Sequence, residues 1–400
     1  MKRVTTHIIN TWVEKRKHYP CIIVIGSVYL YNVFIILNRG EKMNNSLKML
    51  PPNPDLETKV VLKQLARSHR SLAELKGFSD MIPNKNILIN AITINEAKDS
   101  SEIENIVTTH DELYKTMSRE NYETPAAKEV VNYRRAIWKG YELVKEKGFL
   151  STNIIIEIQN IIEPNKGGIR KLPGTVLKNQ ATGEIIYTPP SGEREILALL
   201  DNLEDYINND YDGVDPLIKL AVIHYQFESI HPFYDGNGRT GRIINVLYLV
   251  LKDLIDSPML YLSKFIIRNK TAYYDLLQQV TTEGKWEEWI LFILQGIEET
   301  ADETLMLVKE MNGLLEKTAE EINEKLPSIY SRELVDLIFF EFYAKIAYIE
   351  NGLGVSRKTA SKYLSNLEEE GFLTSEKVGR EKIYLNDRLF KVVKHAGEKE

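Results

Sequence analysis

The sequence predicts a mostly α-helical protein with one β-hairpin near its middle and a winged helix-turn-helix at its C-terminal end. Three observations predict this fold. Apolar residues recur at helical spacing over much of the chain, beginning with residues 55–78. Two short β-prone runs flank a glycine-containing turn within residues 176–187. From residue 328 onward, two helical stretches are followed by a second hairpin.

Length and composition restrict the class of protein. Four hundred residues suffice for two or three domains around a large core. The net charge is −6, so the chain as a whole implies no general affinity for nucleic acid. The single cysteine, Cys21, excludes an intramolecular disulfide and predicts a cytoplasmic protein. No Cys/His cluster in the sequence has the spacing of a zinc site.

The N-terminal segment, residues 1–49, differs from the rest. Residues 21–38 carry no charge, have basic residues on both sides, and are just long enough to cross a membrane. One interpretation is a membrane helix or signal-anchor, which would make the protein membrane-anchored. The abrupt change of character at residues 50–52 favours another, in which Met43 or Met49 is the true start.

The periodicity of apolar residues predicts a series of helices along the chain. These helices cover residues 55–78, 128–146, 154–162, 193–208, 217–227 and 305–326. Trp286 begins a further helix, the last of the central part, and its neighbour Trp289 is expected to pack in the core.

The run from His231 to Arg242, HPFYDGNGRTGR, carries most of the chemical information. Gly236 and Gly238 oppose a regular helix, whereas residues 243–251 are almost wholly apolar and predict a buried helix. The run is therefore a loop that leads into a helix N-terminus. Free backbone N–H groups and the helix dipole favour an anion at such a position.

The residue types in this run suit attack on a nucleotide phosphate. A neutral His231 imidazole accepts a proton near pH 7, and Asp235 is an oxygen ligand suited to Mg²⁺. Asn237 can offer its amide to a phosphate oxygen. Arg239 and Arg242 lie three residues apart, so one helix face presents two guanidinium groups to phosphates.

This run resembles the Fic motif, H-x-F-x-[D/E]-G-N-G-R-x-x-R, and matches it at every specified position. The resemblance extends over about residues 95–297. It implies a Fic-type helical core that transfers AMP from ATP to a protein hydroxyl, with His231 as general base and Asp235 as the Mg²⁺ ligand. The implied nucleotide-binding residues are Gly236, Asn237, Gly238, Arg239, Thr240, Gly241, Arg242, Tyr273 and Tyr274.

Two details of the nucleotide site stay open at this point. Relatives that phosphorylate carry lysine where Gly238 stands, so this glycine favours AMP transfer, but relatives that move phosphocholine share much of the motif. Tyr273 and Tyr274 offer flat faces on which adenine can stack, and they are equally suited to the core.

A second segment resembles the inhibitory motif of the same family, [S/T]-x-x-x-E-[G/N], in which Ser100, Glu104 and Asn105 match. The resemblance implies that Glu104 pairs with Arg242 and so excludes the γ-phosphate of ATP from its guanidinium group. The alternative is a capping box at a helix N-terminus, formed by Ser101 and Glu104. The same glutamate could instead position a water molecule that hydrolyses AMP from a modified target.

The predicted hairpin corresponds in position to the flap of Fic relatives, which lies over the active site and docks the target by strand addition. The residues implied in target docking are Ile186, Tyr187 and Thr188. The alternative is an ordinary surface hairpin.

The C-terminal tail resembles a winged helix-turn-helix domain. A helix is predicted over residues 332–343, and a second begins with Ser356 as N-cap and ends at Gly371. A hairpin around residues 379–380 completes the order. The second helix would present basic residues to DNA, but nearby glutamates nearly cancel their charge, so docking or dimerisation is the alternative.

The expected function is that of a protein adenylyltransferase restrained by Glu104, which uses ATP and Mg²⁺ to modify a Ser, Thr or Tyr hydroxyl of a target protein or itself. The alternatives are a hydrolase that removes AMP and a DNA-binding regulator that senses nucleotide; family resemblance also implies a homodimer. The expected domains are an N-terminal segment, a helical module with the inhibitory helix, the catalytic core, a helical linker and the winged helix. They cover residues 1–49, 50–125, 126–300, 301–327 and 328–400.

Overall fold

A computed structural model describes residues 47–80, 82, 84–110, 112–113, 116, 124–178, 183, 185–378 and 381–398. The apolar segment 21–38 and the hairpin residues 179–182 lie outside these ranges, so the expectations for them remain predictions. Among the described helices, none has the length and apolar character needed to cross a bilayer.

The described part of the chain is mainly helical, as predicted, with a two-stranded and a three-stranded sheet. The helices are α1 (Lys59–Ser79), α2 (Lys85–Ile103), α3 (Pro125–Lys147), α4 (Thr152–Ile162), α5 (Glu193–Asn208), α6 (Pro216–Ile230), α7 (Asn237–Leu251), α8 (Ser263–Arg268), α9 (Lys270–Glu283), α10 (Trp286–Lys325), α11 (Arg332–Phe340), α12 (Ile346–Leu353), α13 (Arg357–Glu369) and α14 (Asp387–Glu398). The strands are β1 (Leu177–Lys178), β2 (Ile185–Tyr187), β3 (Tyr343–Lys345), β4 (Thr374–Val378) and β5 (Glu381–Leu385).

Helix α1 begins later than the sequence predicted because a side chain caps it. The Thr58 hydroxyl accepts a hydrogen bond from the backbone N–H of Val61, so regular structure begins at Lys59 rather than at residue 55. The buried face of α1 packs along α10, and the Ser68 hydroxyl donates a 2.8 Å hydrogen bond to the Leu294 carbonyl.

Helices α6 and α7 form the centre of the molecule. All residues of α6 except Pro216 and Glu228 are buried, and α7 is buried along nearly its whole length. A helix that is apolar all round must be surrounded by other elements. Helices α2, α3, α4, α5 and α10 provide this environment, and α7 therefore starts inside the protein rather than at its surface.

Helix α2 lies between the central helices and the C-terminal unit, and thirteen of its nineteen residues are buried. Side-chain amides on α2 donate to backbone carbonyls of the C-terminal unit, Asn90 to Phe340 at 2.9 Å and Asn95 to Val393 at 3.2 Å. Arg134 of α3 adds an ion pair with Glu341, again at 2.9 Å. Because Arg134 also donates to Asn90 Oδ1 at 2.9 Å, these contacts hold the first part of α2 against both α3 and the C-terminal unit.

The C-terminal unit has the predicted winged-helix order with two corrections. Helix α11 ends at Phe340, not at Tyr343, which instead starts strand β3 and pairs with Leu385 of β5. Helices α12 and α14 are present although the sequence analysis did not predict them. Ser356 caps α13 as predicted, because its hydroxyl accepts from the Thr359 N–H at 3.1 Å.

The predicted helices near residues 286 and 305–326 are one element. Helix α10 runs for forty residues from Trp286 to Lys325 without a break. Its inner face stays buried along its length, because it packs first against α1 and α6 and later against α14. Continuous packing on one side therefore supports a single long helix. Trp289 lies in the core as expected and donates its ring N–H to the Ala221 carbonyl at 2.8 Å.

Candidate active site

A cavity of about 600 Å³ lies at the N-terminus of α7. The ends of α2 and α6, the β1–β2 hairpin and helix α9 complete its walls. Most predicted site residues line it, from four parts of the chain that are distant in sequence. They are Glu104, Ile186, Tyr187, Thr188, His231, Asp235, Gly236, Asn237, Gly238, Arg239, Arg242, Tyr273 and Tyr274. The predicted residues Ser100, Asn105, Thr240 and Gly241 do not line it.

The loop between α6 and α7 adopts a conformation that its sequence explains. His231 ends α6 in the left-handed region with φ 47°, and Gly236 adopts φ 77°, which favours glycine. Asn237 closes the loop, since its side chain accepts from the Phe233 N–H at 2.8 Å and donates to the Phe233 carbonyl at 2.9 Å. The side chain of Asn237 thus serves the loop with its Oδ1 atom and one N–H of its amide, and the contact of this amide with a phosphate stays a prediction.

The start of α7 offers backbone donors to the cavity. The first intrahelical bond is donated by the Thr240 N–H to the Gly236 carbonyl, so the N–H groups of residues 237–239 have no helical acceptor. No side chain among the described residues caps this end. Three free donors and the positive end of the helix dipole make it suitable for an anion.

The His231 imidazole is buried, and its Nδ1 atom has no hydrogen-bond partner among the described residues. Burial lowers the pKa of His231 to about 3, and the nearby Arg170 guanidinium contributes to this shift. The ring is therefore neutral at pH 7, which is the form that accepts a proton.

Arg242 is buried and held by the end of helix α2. Its Nε atom donates to the Ser100 hydroxyl at 2.7 Å, and its Nη2 atom donates to the Ser100 carbonyl at 2.9 Å and to Glu104 Oε1 at 3.1 Å. Burial opposes the charged form, but Glu104 raises the pKa of Arg242. A side chain at Gly238 would collide with the Glu104 carboxylate, so this glycine allows the pair to form above the start of α7.

The capping-box interpretation of residues 101–104 is wrong. Ser101 lies in the last turn of α2, where its hydroxyl donates to the Ala97 carbonyl, and Glu104 follows the C-terminus of this helix. Asn105 then turns the chain with φ 61°, a conformation that glycine and asparagine tolerate best. The segment therefore ends a helix and directs its glutamate towards Arg242.

Arg239 has different partners from Arg242, although the two lie on one helix. It donates to Glu129 of α3 at 2.9 Å and to Glu163, just after α4, at 2.7 Å, and its side chain is almost fully buried. Neither glutamate was predicted from the sequence. No local signal identifies them, because they lie 110 and 76 residues from the arginine that they bind.

Asp235 is partly exposed and pairs with Lys166 at 2.5 Å, with Arg239 3.5 Å away. Burial opposes ionisation, but the hydrogen bond from Lys166 and the charge of Arg239 hold the pKa of Asp235 below its ordinary value. This carboxylate is therefore negative at neutral pH. Within the described ranges, no group of three or more His, Cys, Asp or Glu side chains is arranged around a metal position.

Tyr273 and Tyr274 have unequal environments. Tyr273 is buried, its hydroxyl lies 2.8 Å from His224 Nε2, and its ring packs against Trp289 with centroids 5.7 Å apart. Tyr274 is less buried and packs edge-on against Tyr273. Tyr273 thus belongs mainly to the core, and Tyr274 together with Leu277 gives the cavity an apolar wall.

The hairpin borders the cavity from the other side. Strands β1 and β2 are antiparallel, with Leu177 opposite Tyr187. The Tyr187 hydroxyl donates to the Ser229 carbonyl at 2.9 Å, which holds β2 against the end of α6. The hairpin therefore lies beside the cavity that His231 lines rather than on a remote surface.

Comparison with known proteins agrees with this fold. Residues 62–142 match the Fic/DOC family N-terminal domain, and residues 149–249 match the Fic/DOC family domain itself. Residues 314–389 match the C-terminal domain of protein adenylyltransferase SoFic-like proteins. These matches together cover more than half of the chain, and the protein belongs to the Fic/DOC family.

The individual relatives share less than a third of their residues with this chain over the matched parts. The chain is 28% identical over 189 residues to the protein adenylyltransferase Fic of Drosophila willistoni, covering 46% of this chain and 36% of that protein. It is also 28% identical over 193 residues to the protein of the same name from Aedes aegypti, covering 48% and 36%. The matched part thus spans little more than a third of these relatives. A Fic family protein from Desulfovibrio desulfuricans G20 shares the fold, with a TM-score of 0.53 and 17% identity over 84% of this chain and 98% of that one.

Proposed function

We propose that this protein is an adenylyltransferase that transfers AMP from ATP to a Ser, Thr or Tyr hydroxyl of a protein, itself included, and that Glu104 restrains it. The observation that carries the proposal is the meeting, in one cavity, of the neutral His231 imidazole, the free N–H groups of α7 and the buried Arg242 guanidinium. The relatives from Drosophila willistoni and Aedes aegypti carry the name protein adenylyltransferase, which supports the same reaction.

The triphosphate of ATP would lie along the start of α7. The backbone N–H groups of residues 237–239 suit the α-phosphate, and Arg242 suits the γ-phosphate once Glu104 has moved away. Arg239 is held by Glu129 and Glu163, so we assign it to fixing the loop, and it would meet the β-phosphate only if one of these carboxylates moved away. Tyr274 and the apolar wall beside it would face the adenine.

The donor set fits Mg²⁺ in one place. Asp235 is an ionised carboxylate on the cavity wall, and Mg²⁺ in nucleotide sites is commonly held by one or two carboxylates together with phosphates. Bound there, Mg²⁺ would neutralise negative charge on the phosphates. In the structure the ammonium group of Lys166 pairs with Asp235 and so occupies the position beside this carboxylate that Mg²⁺ would take.

His231 would act on the hydroxyl of the target. Its neutral imidazole accepts the hydroxyl proton while the oxygen attacks the α-phosphorus, so that a new O–P bond forms. The bond from the α-phosphorus to the bridging oxygen breaks, and pyrophosphate leaves. The hairpin that carries Tyr187 lies beside this point and would dock the target segment.

The test is transfer of label from α-phosphate-labelled ATP with Mg²⁺, using the full chain. We expect weak self-labelling by the wild type, strong labelling by Glu104→Gly and none by Glu104→Gly combined with His231→Ala. Glu102→Gly is the matched control, because Glu102 pairs with Lys98 on the other side of the same helix end. No labelling by any variant, with ATP binding intact, would overturn the proposal.

The hydrolase alternative is tested on the same material. Labelled protein freed of ATP would lose AMP only if Glu104 is present, should this residue position a water molecule. Stable label in both the wild-type and the Glu104→Gly protein would exclude that activity.

We propose in addition that the winged helix contacts DNA through the leading end of α13. Arg357, Lys358 and Lys362 are exposed there, whereas Glu368 is engaged by Lys382 at 2.6 Å. Binding to duplex DNA should weaken steeply with salt, and Lys358→Glu should weaken it further. If no DNA is bound at low salt, a docking or dimerisation role is favoured. The homodimer remains a prediction, which sedimentation equilibrium tests.

A further inference from the structure

Arg170 is the most completely enclosed cation near the cavity, yet the reaction proposed above does not use it. It lies between α4 and the hairpin, its side chain is fully buried, and it lines no part of the cavity. Its Nε atom donates to the His231 carbonyl at 2.7 Å, and its Nη2 atom donates to the Ile230 carbonyl at 3.2 Å and the Pro190 carbonyl at 2.5 Å. One guanidinium thus joins the end of α6 to the base of the hairpin.

The backbone around Arg170 strengthens the same connection. Its own N–H donates to the Pro232 carbonyl at 2.9 Å, and Ile169 forms an antiparallel bridge with Phe233. The N–H of the next residue, Lys171, donates to the hydroxyl of Tyr234 at 3.0 Å. The segment 169–171 therefore lies along residues 231–234 like a short extra strand.

These contacts meet at a backbone conformation that needs support. His231 adopts φ 47°, which is uncommon for a residue with a Cβ atom. The last carbonyls of α6 have no intrahelical donors, and an acceptor left unbonded inside a protein is costly. The rigid, multi-donor guanidinium of Arg170 satisfies two of these carbonyls at once, which a lysine ammonium cannot do with the same geometry.

We propose that Arg170 is a positioning residue that holds His231 in this left-handed conformation and ties it to Pro190 at the base of the hairpin. The imidazole then faces the cavity with a fixed direction, and the hairpin that borders the cavity is set by the same group. The inference rests on the proposed function for its kinetic consequence only, since the position and charge of the imidazole are measurable without it.

The charge of Arg170 provides an independent signature. The guanidinium is one of the groups that lower the pKa of His231, after burial itself. Removing the charge while keeping the fold should raise the pKa of this imidazole, whereas replacing arginine with lysine should leave it low. If Arg170 only filled space, neither replacement would change the pKa of His231.

The experiment compares Arg170→Gln and Arg170→Lys in the full chain carrying Glu104→Gly, with the exposed Arg194→Gln as control. We expect kcat for labelling to fall about 100-fold or more in both Arg170 variants, since small misplacements of a reacting group have effects of this order. ATP affinity measured by calorimetry should stay within about threefold, because Arg170 does not line the cavity. The His231 ring resonance should titrate at higher pH in Arg170→Gln only.

Each outcome bears on the proposal. Unchanged kcat with an unchanged titration of His231 would overturn it, as would loss of folding in both variants, which would assign Arg170 to stability alone. If the Glu104→Gly parent labels nothing, the proposed function fails, but the titration of His231 and the ATP affinity still decide whether Arg170 positions the ring.

Discussion

The replacement Glu104→Gly tests how strongly the end of α2 opposes nucleotide binding. In the structure, Glu104 and Arg242 form a hydrogen-bonded ion pair with 3.1 Å between Oε1 and Nη2. Arg242 is almost fully buried, and one-fifth of the Glu104 side chain is exposed. Under the proposed function, ATP would use this guanidinium only after the carboxylate has left, so the strength of the pair would subtract directly from the affinity for ATP.

The size of the effect follows from these contacts. A hydrogen bond to a charged group contributes about 1.5–3 kcal/mol, and Arg242 keeps its two bonds to Ser100 when Glu104 is removed. We therefore expect the free energy of unfolding to fall by about 1.5–3 kcal/mol without ligand. The same energy no longer opposes ATP, and since about 1.4 kcal/mol corresponds to a tenfold change in Kd, affinity should rise by about 10-fold to 100-fold.

Two measurements check this reasoning on the same protein. Urea unfolding without nucleotide gives the stability loss, and calorimetric titration with ATP gives the affinity gain. Glu102→Gly is the control, since its ion pair with Lys98 is partly exposed and contributes about 1 kcal/mol or less. Equal ATP affinity in the wild type and Glu104→Gly would refute the reasoning, because the carboxylate would then not compete with phosphate.

Three further predictions follow from buried polar groups. His231 has a pKa of about 3 in the folded protein and about 6.5 in the unfolded chain, so the unfolded chain binds more protons between these values. As the pH is lowered below 6, the free energy of unfolding of the wild type should therefore fall more steeply than that of His231→Asn, by up to about 1.4 kcal/mol per pH unit. Urea unfolding measures both curves, and parallel curves would contradict the prediction. Tyr273→Phe should lower stability by about 1–2 kcal/mol through the lost bond to His224, with ATP affinity unchanged; a large loss of affinity would instead assign its hydroxyl to the nucleotide. Arg134→Ala should leave Glu341 without its ion pair and lower the free energy of unfolding by about 2–4 kcal/mol. Limited proteolysis should then cut the C-terminal unit faster. An unchanged rate of cleavage would show that the other contacts suffice to hold this unit in place.

The parts of the fold that the sequence predicted well are those with local causes. Helix α5 has the predicted bounds, and Ser356 caps α13, because apolar periodicity and a hydroxyl before a helix act over a few residues. The loop from His231 and the helix after it were readable since glycines precede an apolar run, although Gly238, which was expected to oppose a helix, lies in the first turn of α7. Strand β3 and helix α12 escaped prediction because they are three and eight residues long and depend on pairing with β5 and packing in the C-terminal unit.

The same distinction applies to the site. The loop residues are contiguous, so their chemistry could be read directly, whereas the groups that hold them come from elsewhere. Glu129 and Glu163 reach Arg239, and Arg170 reaches His231, across 61 to 110 residues of sequence. Asn237 is the opposite case. Its residue type suggested a contact with a ligand, but its side chain forms two hydrogen bonds with the backbone of Phe233 in the same loop.

Helix α2 contacts the C-terminal unit through Asn95 and carries Glu104 to the cavity at its C-terminus. Nine residues separate Asn95, which touches the C-terminal unit, from Glu104 above the cavity, a distance of about 14 Å along a helix. A rod this short transmits displacement with little bending. A shift of α2 caused by a partner of the winged helix would therefore be expected to change the Glu104–Arg242 ion pair, and under the proposed function a nucleotide that displaces Glu104 would be expected to disturb the contact of α2 with the C-terminal unit.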